Sequence, residues 1–259
     1  FCLFCHFVWA NFIMSEADIR AFSSQFLSLR NDLRGVDVAS KWRLLLTEEE
    51  IQNRVKQLAK KIDELFVGKD IVLTCILKGA VYFLVDLSRY VTIPHSLYFI
   101  EASSYQSSQQ QSEKVEVLSN LVPSKFEGKH VVLIDELWDN GRTLDRVKNI
   151  IIHDLGHTKD DITTCTLFLK KKEQPAFPLP DLYGLEMPAV WVVGYGLDDA
   201  QEKRGWSYLY GIPKADGVPL GPDDEMFTEG EKGENFYKNF RQQIMKQLDA
   251  PLFGKATEG

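Results

Sequence analysis

The sequence predicts an α/β fold: a mostly parallel sheet flanked by helices, followed by a C-terminal helical extension. Three observations lead there. Segments of strand and helix character alternate along the chain. The strand segments are continuously apolar, as strands covered on both faces are. The stretch VVLIDELWDNGRTLDRV (131–147) runs from an apolar strand through three acids and a glycine into a helix. That is where parallel sheets bind ligands, at the carboxyl end of a strand where the next helix begins.

Taken in order, FCLFCHFVWANFI (1–13) is too short to span a membrane. It lacks a basic start and a small-residue cleavage site, so a signal peptide is not expected. Cys2, Cys5 and His6 have no second ligand pair nearby and carry no metal expectation. Met14-Ser15-Glu16 reads as a natural start, with 1–13 an upstream extension or a misassigned start. The clearest helix is TEEEIQNRVKQLAKKIDELF (47–66). Thr47 and Glu50 make a capping box, and Ile51, Val55, Leu58, Ile62 and Leu65 keep helical spacing. IVLTCIL (71–77) is a buried strand, GAVYFLVDLSRY (79–90) a helix and SLYFI (96–100) a strand.

Residues 103–114 (SSYQSSQQQSEK) are polar and aperiodic, too long for a routine turn. A strand at 131–135, an acidic turn and a helix at 143–155 follow, then the strand DITTCTLFLK (161–170). A Pro-rich connection, 175–188, leads to VWVVGYG (190–196). From 212 onward the composition shifts to Pro, Gly and acid. A last amphipathic helix is expected over about 231–248, with Phe236, Phe240, Ile244 and Leu248 on one face, packing on the domain or on a partner. The expected organisation is an N-terminal extension (1–44), a central domain (45–211) and a C-terminal extension (212–259).

Hydrophobic residues make up 44% and charged residues 26%, ordinary values for a globular chain. The net charge of −7 argues against a general nucleic-acid or membrane-surface binder, which needs basic patches facing phosphates. Four cysteines make no disulfide framework. Cys75 and Cys165 sit in apolar strands and read as core thiols, which suits a reducing, cytoplasmic setting. The C-terminus carries no peroxisomal or prenylation signal.

At 131–147, Asp135 and Glu136 lie at a strand end, Gly141 permits a tight turn, and the amides of 140–143 at a helix start suit an anion. Arg142 adds a cation and Thr143 a hydroxyl. Three acids beside a phosphate cradle would repel an anion unless a cation intervenes, which points to a metal. The matching ligand is a sugar phosphate whose hydroxyls or Mg²⁺ meet the acids. The plain alternative is a solvated turn with Asp139 as N-cap.

The stretch resembles the phosphoribosyl-diphosphate motif of the type I phosphoribosyltransferases. LKGA (77–80), ASSY (102–105), LFLK (167–170) and VWVVGYGLDDAQEKR (190–204) resemble, in the same order, the hypoxanthine-guanine branch of that family. The resemblance covers roughly 45–211. It implies the type I fold with a small hood, a homodimer or homotetramer, Mg²⁺ as cofactor, and transfer of a 6-oxopurine (hypoxanthine or guanine, with xanthine a third candidate) to 5-phosphoribosyl-1-diphosphate.

It also implies residue roles. Asp135 and Glu136 face the ribose hydroxyls, which share a Mg²⁺. Asp139 is the catalytic acid/base. Asn140, Gly141, Arg142 and Thr143 hold the 5′-phosphate. Leu77, Lys78 and Gly79 form the pyrophosphate loop, whose Leu–Lys peptide is sometimes cis in the family. Lys170 bonds the 6-oxo group, Trp191 stacks on the base, and the Val192 main chain reads its edge. Asp198, beside the base, holds a second Mg²⁺, and Arg204 reaches pyrophosphate. Ser104 and Tyr105 head a lid over 103–114, whose ordering costs about 1–2 kcal/mol per residue unless ligand contacts offset it.

The chain departs from the family pattern at Asn140, where Thr or Ser is usual, and at Glu136, longer than the common Asp. Val190 and Asp199 also differ. Two rival readings remain open at this point: a nucleotide-sensing regulator on the same fold, and a transferase for another base. Small-molecule substrates are expected, with neither nucleic acid nor membrane as partner.

Overall fold

The structure, a computed structural model, describes residues 42–106, 113–117, 121–170, 174–214 and 221–254. The Cys2/Cys5/His6 group, the centre of the expected lid at 107–112, and Lys171 and Lys172 lie outside the described residues.

Among the described residues the main sheet has seven strands: β2 (Ile71–Leu77), β3 (His95–Gln106), β4 (Glu113–Val117), β5 (His130–Trp138), β6 (Ile162–Lys170), β7 (Leu182–Met187) and β10 (Phe253–Gly254). Their spatial order is β10-β7-β6-β5-β2-β3-β4. The run β7-β6-β5-β2-β3 is parallel. The edge strands β10 and β4 are antiparallel. A separate antiparallel sheet, the hood, joins β1 (Arg43–Leu46), β8 (Trp191–Val193) and β9 (Leu209–Ile212) in the order β1-β9-β8.

Among the described residues, four helices flank the sheet: α1 (Glu48–Leu65), α2 (Val81–Tyr90), α3 (Arg142–Leu155) and α4 (Glu231–Asp249). The α1 capping box forms as expected. The Thr47 hydroxyl accepts from the Glu50 amide at 3.3 Å, and the Thr47 amide donates to Glu50 Oε2 at 2.8 Å. Ile51, Val55, Leu58 and Ile62 are fully buried in a core shared with α2 and α4. Leu144, Val147 and Ile151 of α3 build the second core with Val131, Leu133 and Trp138 of β5. Cys75 and Cys165 are buried free thiols, as expected. Burial raises both, Cys165 to about 12, so neither is a ready nucleophile.

The C-terminal helix packs on this domain. Its Tyr237 hydroxyl donates to Leu44 O at 2.7 Å, and Arg241 forms a 2.7 Å ion pair with Glu50. Arg54 is fully buried and donates to the main-chain carbonyls of Gln247 and Ala250 at the end of α4. That helix end carries partial negative charge, which suits a buried guanidinium.

The structure corrects several element expectations. The strand at 131–135 continues to Trp138, because Leu137 and Trp138 still pair with Phe168 and Leu169 of β6. Asp135 and Glu136 are therefore strand residues, and the turn begins at Asp139. Residues 103–106 and 113–117 form antiparallel strands, so the polar segment 103–114 is not irregular at its ends. The Pro-rich connection 175–188 contains β7. The apolar run at 190–196 keeps strand geometry only at Trp191–Val193, in the hood and not the main sheet.

Candidate active site

The site lies at the carboxyl ends of β2, β5 and β6. Asp135 is the Cα partner of Thr166 in the β5–β6 pairing. Its carboxyl accepts a hydrogen bond from the Glu136 amide at 3.1 Å. Burial, and then the Glu136 charge beside it, hold the Asp135 carboxyl well above the usual carboxylate range. Glu136 is raised too, by burial, with hydrogen bonding to Asp135 and the Arg204 charge opposing. Two adjacent acids thus sit where their full ionisation calls for a further cation.

The turn after β5 is shaped by Gly141, at φ +81° and immediately before α3. A Cβ there would stand 2.5 Å from Trp138 Nε1 and 2.9 Å from Phe177 Cβ, so both conformation and space demand glycine. Trp138 in turn donates to Pro178 O at 3.1 Å, tying the 175–188 connection to the turn. The Asn140 side chain accepts from the Arg142 amide at 3.0 Å, so that amide is already engaged. The Arg142 guanidinium lies over the Phe177 ring, 6.0 Å from its centroid.

Two cavities meet here. The smaller, about 230 Å³, is lined by Asp135, the turn 139–143 and Thr166. The larger, about 610 Å³, is lined by Leu77, Lys78, Gly79, Glu136, Asp198 and Arg204 among others. Asp135, Leu137 and Thr143 line both. The Leu77–Lys78 peptide is cis. Gly79 lies directly against the Glu136 carboxyl: a Cβ there would stand 1.8 Å from Oε1 and would push that side chain aside.

Asp198 and Arg204 come from the loop 194–204. Arg204 pairs with Asp198 at 2.6 Å and donates to Gly196 O at 2.8 Å. Among the described residues, every non-glycine residue with positive φ lies in this loop: Tyr195, Ala200, Gln201 and Lys203. Such conformations persist only where surroundings over-determine them, and they concentrate at functional sites. The Tyr195 hydroxyl donates to Asp86 of α2 at 2.7 Å. A Cβ at Gly196 would stand 2.1 Å from Gly79 O, so this loop and the 77–79 loop touch main chain to main chain.

Lys170 ends β6 with its side chain only 11% exposed, so it is not a solvated surface lysine. Its ammonium is 3.9 Å from the Asp139 carboxylate. Trp191 is 53% exposed, which excludes plain core packing. Val192 pairs with Gly211 on β8, an edge strand whose alternate main-chain groups point away from the ladder. The main chains of Ser104 and Tyr105 pair with Val115 and Lys114. Sequence reasoning missed Tyr195, Asp86 and Thr166. The Gly194-Tyr195-Gly196 pattern was the available signal for the first.

Comparison with known proteins agrees with this geometry. Residues 42–200 match the phosphoribosyl transferase domain. The hypoxanthine-guanine phosphoribosyltransferase of Dictyostelium discoideum is 34% identical over 171 residues, which are 64% of this chain and 92% of that protein. The hypoxanthine phosphoribosyltransferase of Salmonella typhimurium is 33% identical over 168 residues, with the same coverage of 64% and 92%. A solved hypoxanthine phosphoribosyltransferase from Staphylococcus aureus aligns with a TM-score of 0.59 at 29% identity, covering 66% of this chain and 90% of that one. With its parallel sheet, its strand-end acids and its glycine turn at a helix start, the chain belongs to the phosphoribosyltransferase family.

Proposed function

We propose that this chain is a purine-salvage transferase that joins hypoxanthine or guanine to 5-phosphoribosyl-1-diphosphate, giving IMP or GMP and pyrophosphate. The observation that carries the reading is the pair of cavities sharing Asp135, Leu137 and Thr143. A helix start suits the single phosphate at one end of the sugar. The larger cavity, with Lys78 and Arg204, suits the diphosphate at the other. The shared residues then face the ribose between them.

Mg²⁺ fits the acids present. Asp135, Glu136 and Asp198 are hard oxygen donors lining one cavity, and the first two lack enough positive charge nearby. Among the described residues, no three His, Cys, Asp or Glu side chains converge to hold an ion alone. Mg²⁺ characteristically takes one or two carboxylates together with substrate oxygens. When bound, it would supply charge stabilisation for the leaving diphosphate.

The chain's own residues do the rest. Asn140, Gly141, Arg142 and Thr143 orient the 5′-phosphate. Lys78 and Arg204 stabilise charge that develops on pyrophosphate as the C1–O bond breaks. Asp139 handles the proton at N7 of the purine while another ring nitrogen attacks C1. Lys170 donates to the 6-oxo group, Trp191 stacks on the ring, and the Val192 main chain reads its edge. Ser104 and Tyr105, on the β3–β4 hairpin, close over the sugar and exclude water from its cationic centre.

No helix of the described residues is long and apolar enough to cross a membrane. A cytoplasmic homodimer or homotetramer is part of the proposal. The test is pyrophosphate release from Mg²⁺, the diphosphate sugar and each purine in turn. Release with hypoxanthine or guanine supports the reading, and absence of release with every 6-oxopurine refutes it.

A further inference from the structure

The family match ends at residue 200, yet the chain beyond it touches the frame of the proposed base subsite at three points. The first is the turn between β7 and β8. Asp223 Oδ2 accepts a hydrogen bond from the Ala189 amide at 2.6 Å. The second lies under the hood. Phe227, 8% exposed, and Leu45 flank Gly211, where a Cβ would meet either side chain at 3.2 Å. Gly211 is the Cα partner of Val192. The third is on β7. Gln247 of α4 accepts from the Glu186 amide at 2.7 Å and donates to its carbonyl at 3.2 Å. Glu186 pairs with Leu169, and its neighbour Met187 pairs with Lys170.

The segment that carries Asp223 is itself fixed. It is a short helical turn, Pro222–Phe227. Asp224 is 3% exposed and pairs with Lys214 at 2.9 Å. Met226 is fully buried, and its carbonyl accepts from Arg43 Nε at 3.2 Å. Arg43 also pairs with Glu234 of α4 at 2.6 Å. Asp223 therefore meets Ala189 from a held position.

Trp191 needs such support. At 53% exposure it has little packing of its own to set its direction. Its direction comes from the main chain on either side. On one side is the β8–β9 ladder. On the other is the turn at 188–190, where Ala189 is exposed and Val190 is 1% exposed. A carboxylate accepting from a main-chain amide is a charge-assisted bond, stronger than a neutral one.

We infer that the C-terminal extension braces the base subsite, with Asp223 the positioning residue that sets the Ala189–Trp191 turn. This rests on the assignment of Lys170 and Trp191 to the base. Asp223 does not touch the base in this scheme. It acts through Trp191, so its loss should weaken base binding and leave sugar-diphosphate binding and chemistry in place.

The test compares full-length wild type, Asp223→Ala and Asp223→Asn. Steady-state kinetics vary hypoxanthine and the diphosphate sugar separately. Hydrogen exchange of the unliganded proteins is followed over 189–192. Asp223→Ala should raise KM for hypoxanthine about 5-fold or more, the size of effect expected from one charge-assisted hydrogen bond acting indirectly. The kcat and KM for the sugar should change less than about 2-fold on the same argument. Exchange over 189–192 should accelerate. Asp223→Asn keeps an acceptor and should recover most of the loss.

Faster exchange with unchanged KM for hypoxanthine would reduce Asp223 to a structural contact and overturn the inference. So would unchanged exchange, or an equal loss of kcat and of affinity for both substrates. If wild type transfers to no 6-oxopurine, the transferase reading fails. The exchange comparison then still shows whether Asp223 holds the turn.

Discussion

The Lys170 ammonium lies 3.9 Å from the Asp139 carboxylate, with the lysine 11% and the aspartate 53% exposed. A nearly buried cation at the end of β6 thus faces a largely solvated acid at the turn after β5. In the proposed reaction the cation marks the carbonyl side of the base, and the acid marks the side where its ring proton is exchanged. Replacing Asp139 by Asn keeps the shape and removes the proton acceptor. Turnover should fall roughly 10²-fold or more, the usual range for a general acid/base. Binding of the diphosphate sugar should be largely unchanged by calorimetry. Near-normal turnover would remove Asp139 from this role.

Lys170 donates hydrogen bonds and accepts none. It suits a 6-oxo group and offers nothing to a 6-amino group. A site built around a buried donor rejects an analogue that leaves that donor unpaired. The wild-type protein should use hypoxanthine or guanine and scarcely use adenine in competition assays. A preference for adenine would show that Lys170 does not read the base.

The capping box of α1 gives a stability prediction away from the site. Thr47→Ala removes the side-chain acceptor for the Glu50 amide. The loss should be about 1 kcal/mol, the typical cost of an N-cap oxygen, read from denaturant midpoints at unchanged slope. An unchanged midpoint would mean that the helix start is held wholly by Arg241, which also binds Glu50.

That helix was legible from sequence because its signals are local. The box, the apolar spacing and Gly68, at φ +72° just past the helix end, all lie within one segment. The glycine turn before α3 was legible for the same reason, since Asp139 to Thr143 are contiguous. Longer-range features were not. β7 was hidden in a Pro-rich connection, and its central Gly184 lowers strand propensity. Gly184 is there because a Cβ would stand 2.6 Å from Leu167 O, a contact visible only once β6 and β7 pair. The hood strands β1 and β9 are four residues each and carry no clear alternation. Tyr195 and Asp86 are 109 residues apart, and nothing in either segment announces the other.

His130 supplies a pH prediction at the opposite end of β5. Its ring lies 4.5 Å from the Phe66 ring, centroid to centroid, and its Nε2 is 2.9 Å from Thr163 Oγ1. Burial first, and then the Lys69 charge, depress its pKa below the ordinary 6.5. The unfolded chain therefore takes up the proton first. The stability contributed by neutral His130 is complete above pH 6.5 and is lost as pH falls from there through the folded value. His130→Gln retains hydrogen-bonding groups without that titration. Melting curves from pH 7.5 to pH 5.5 (roughly one unit either side of the ordinary value) should show wild type losing more stability than the variant. Equal losses would mean that other groups govern acid stability in this range.

The last prediction concerns the Tyr195–Asp86 hydrogen bond. Tyr195 holds a positive φ of 47° at the head of the loop carrying Asp198 and Arg204. Its ring is buried, and its hydroxyl reaches Asp86 on α2, which also binds Gln52 and Arg89. Helix α2 begins just after the cis Leu77–Lys78 loop, and Gly79 meets Gly196 directly. One hydrogen bond thus links both loops proposed to hold pyrophosphate. Tyr195→Phe keeps the ring and deletes the link. Losing one such bond costs about 0.5–1.5 kcal/mol, which corresponds to a drop of a few degrees in Tm for a domain of this size. If the loss were only of stability, kinetics well below the melting range would not change. If the bond positions the loops, KM for the diphosphate sugar should rise several-fold while KM for hypoxanthine stays near its wild-type value. A fall in Tm with both KM values intact would show that the bond supports the fold and leaves the pyrophosphate loops in place.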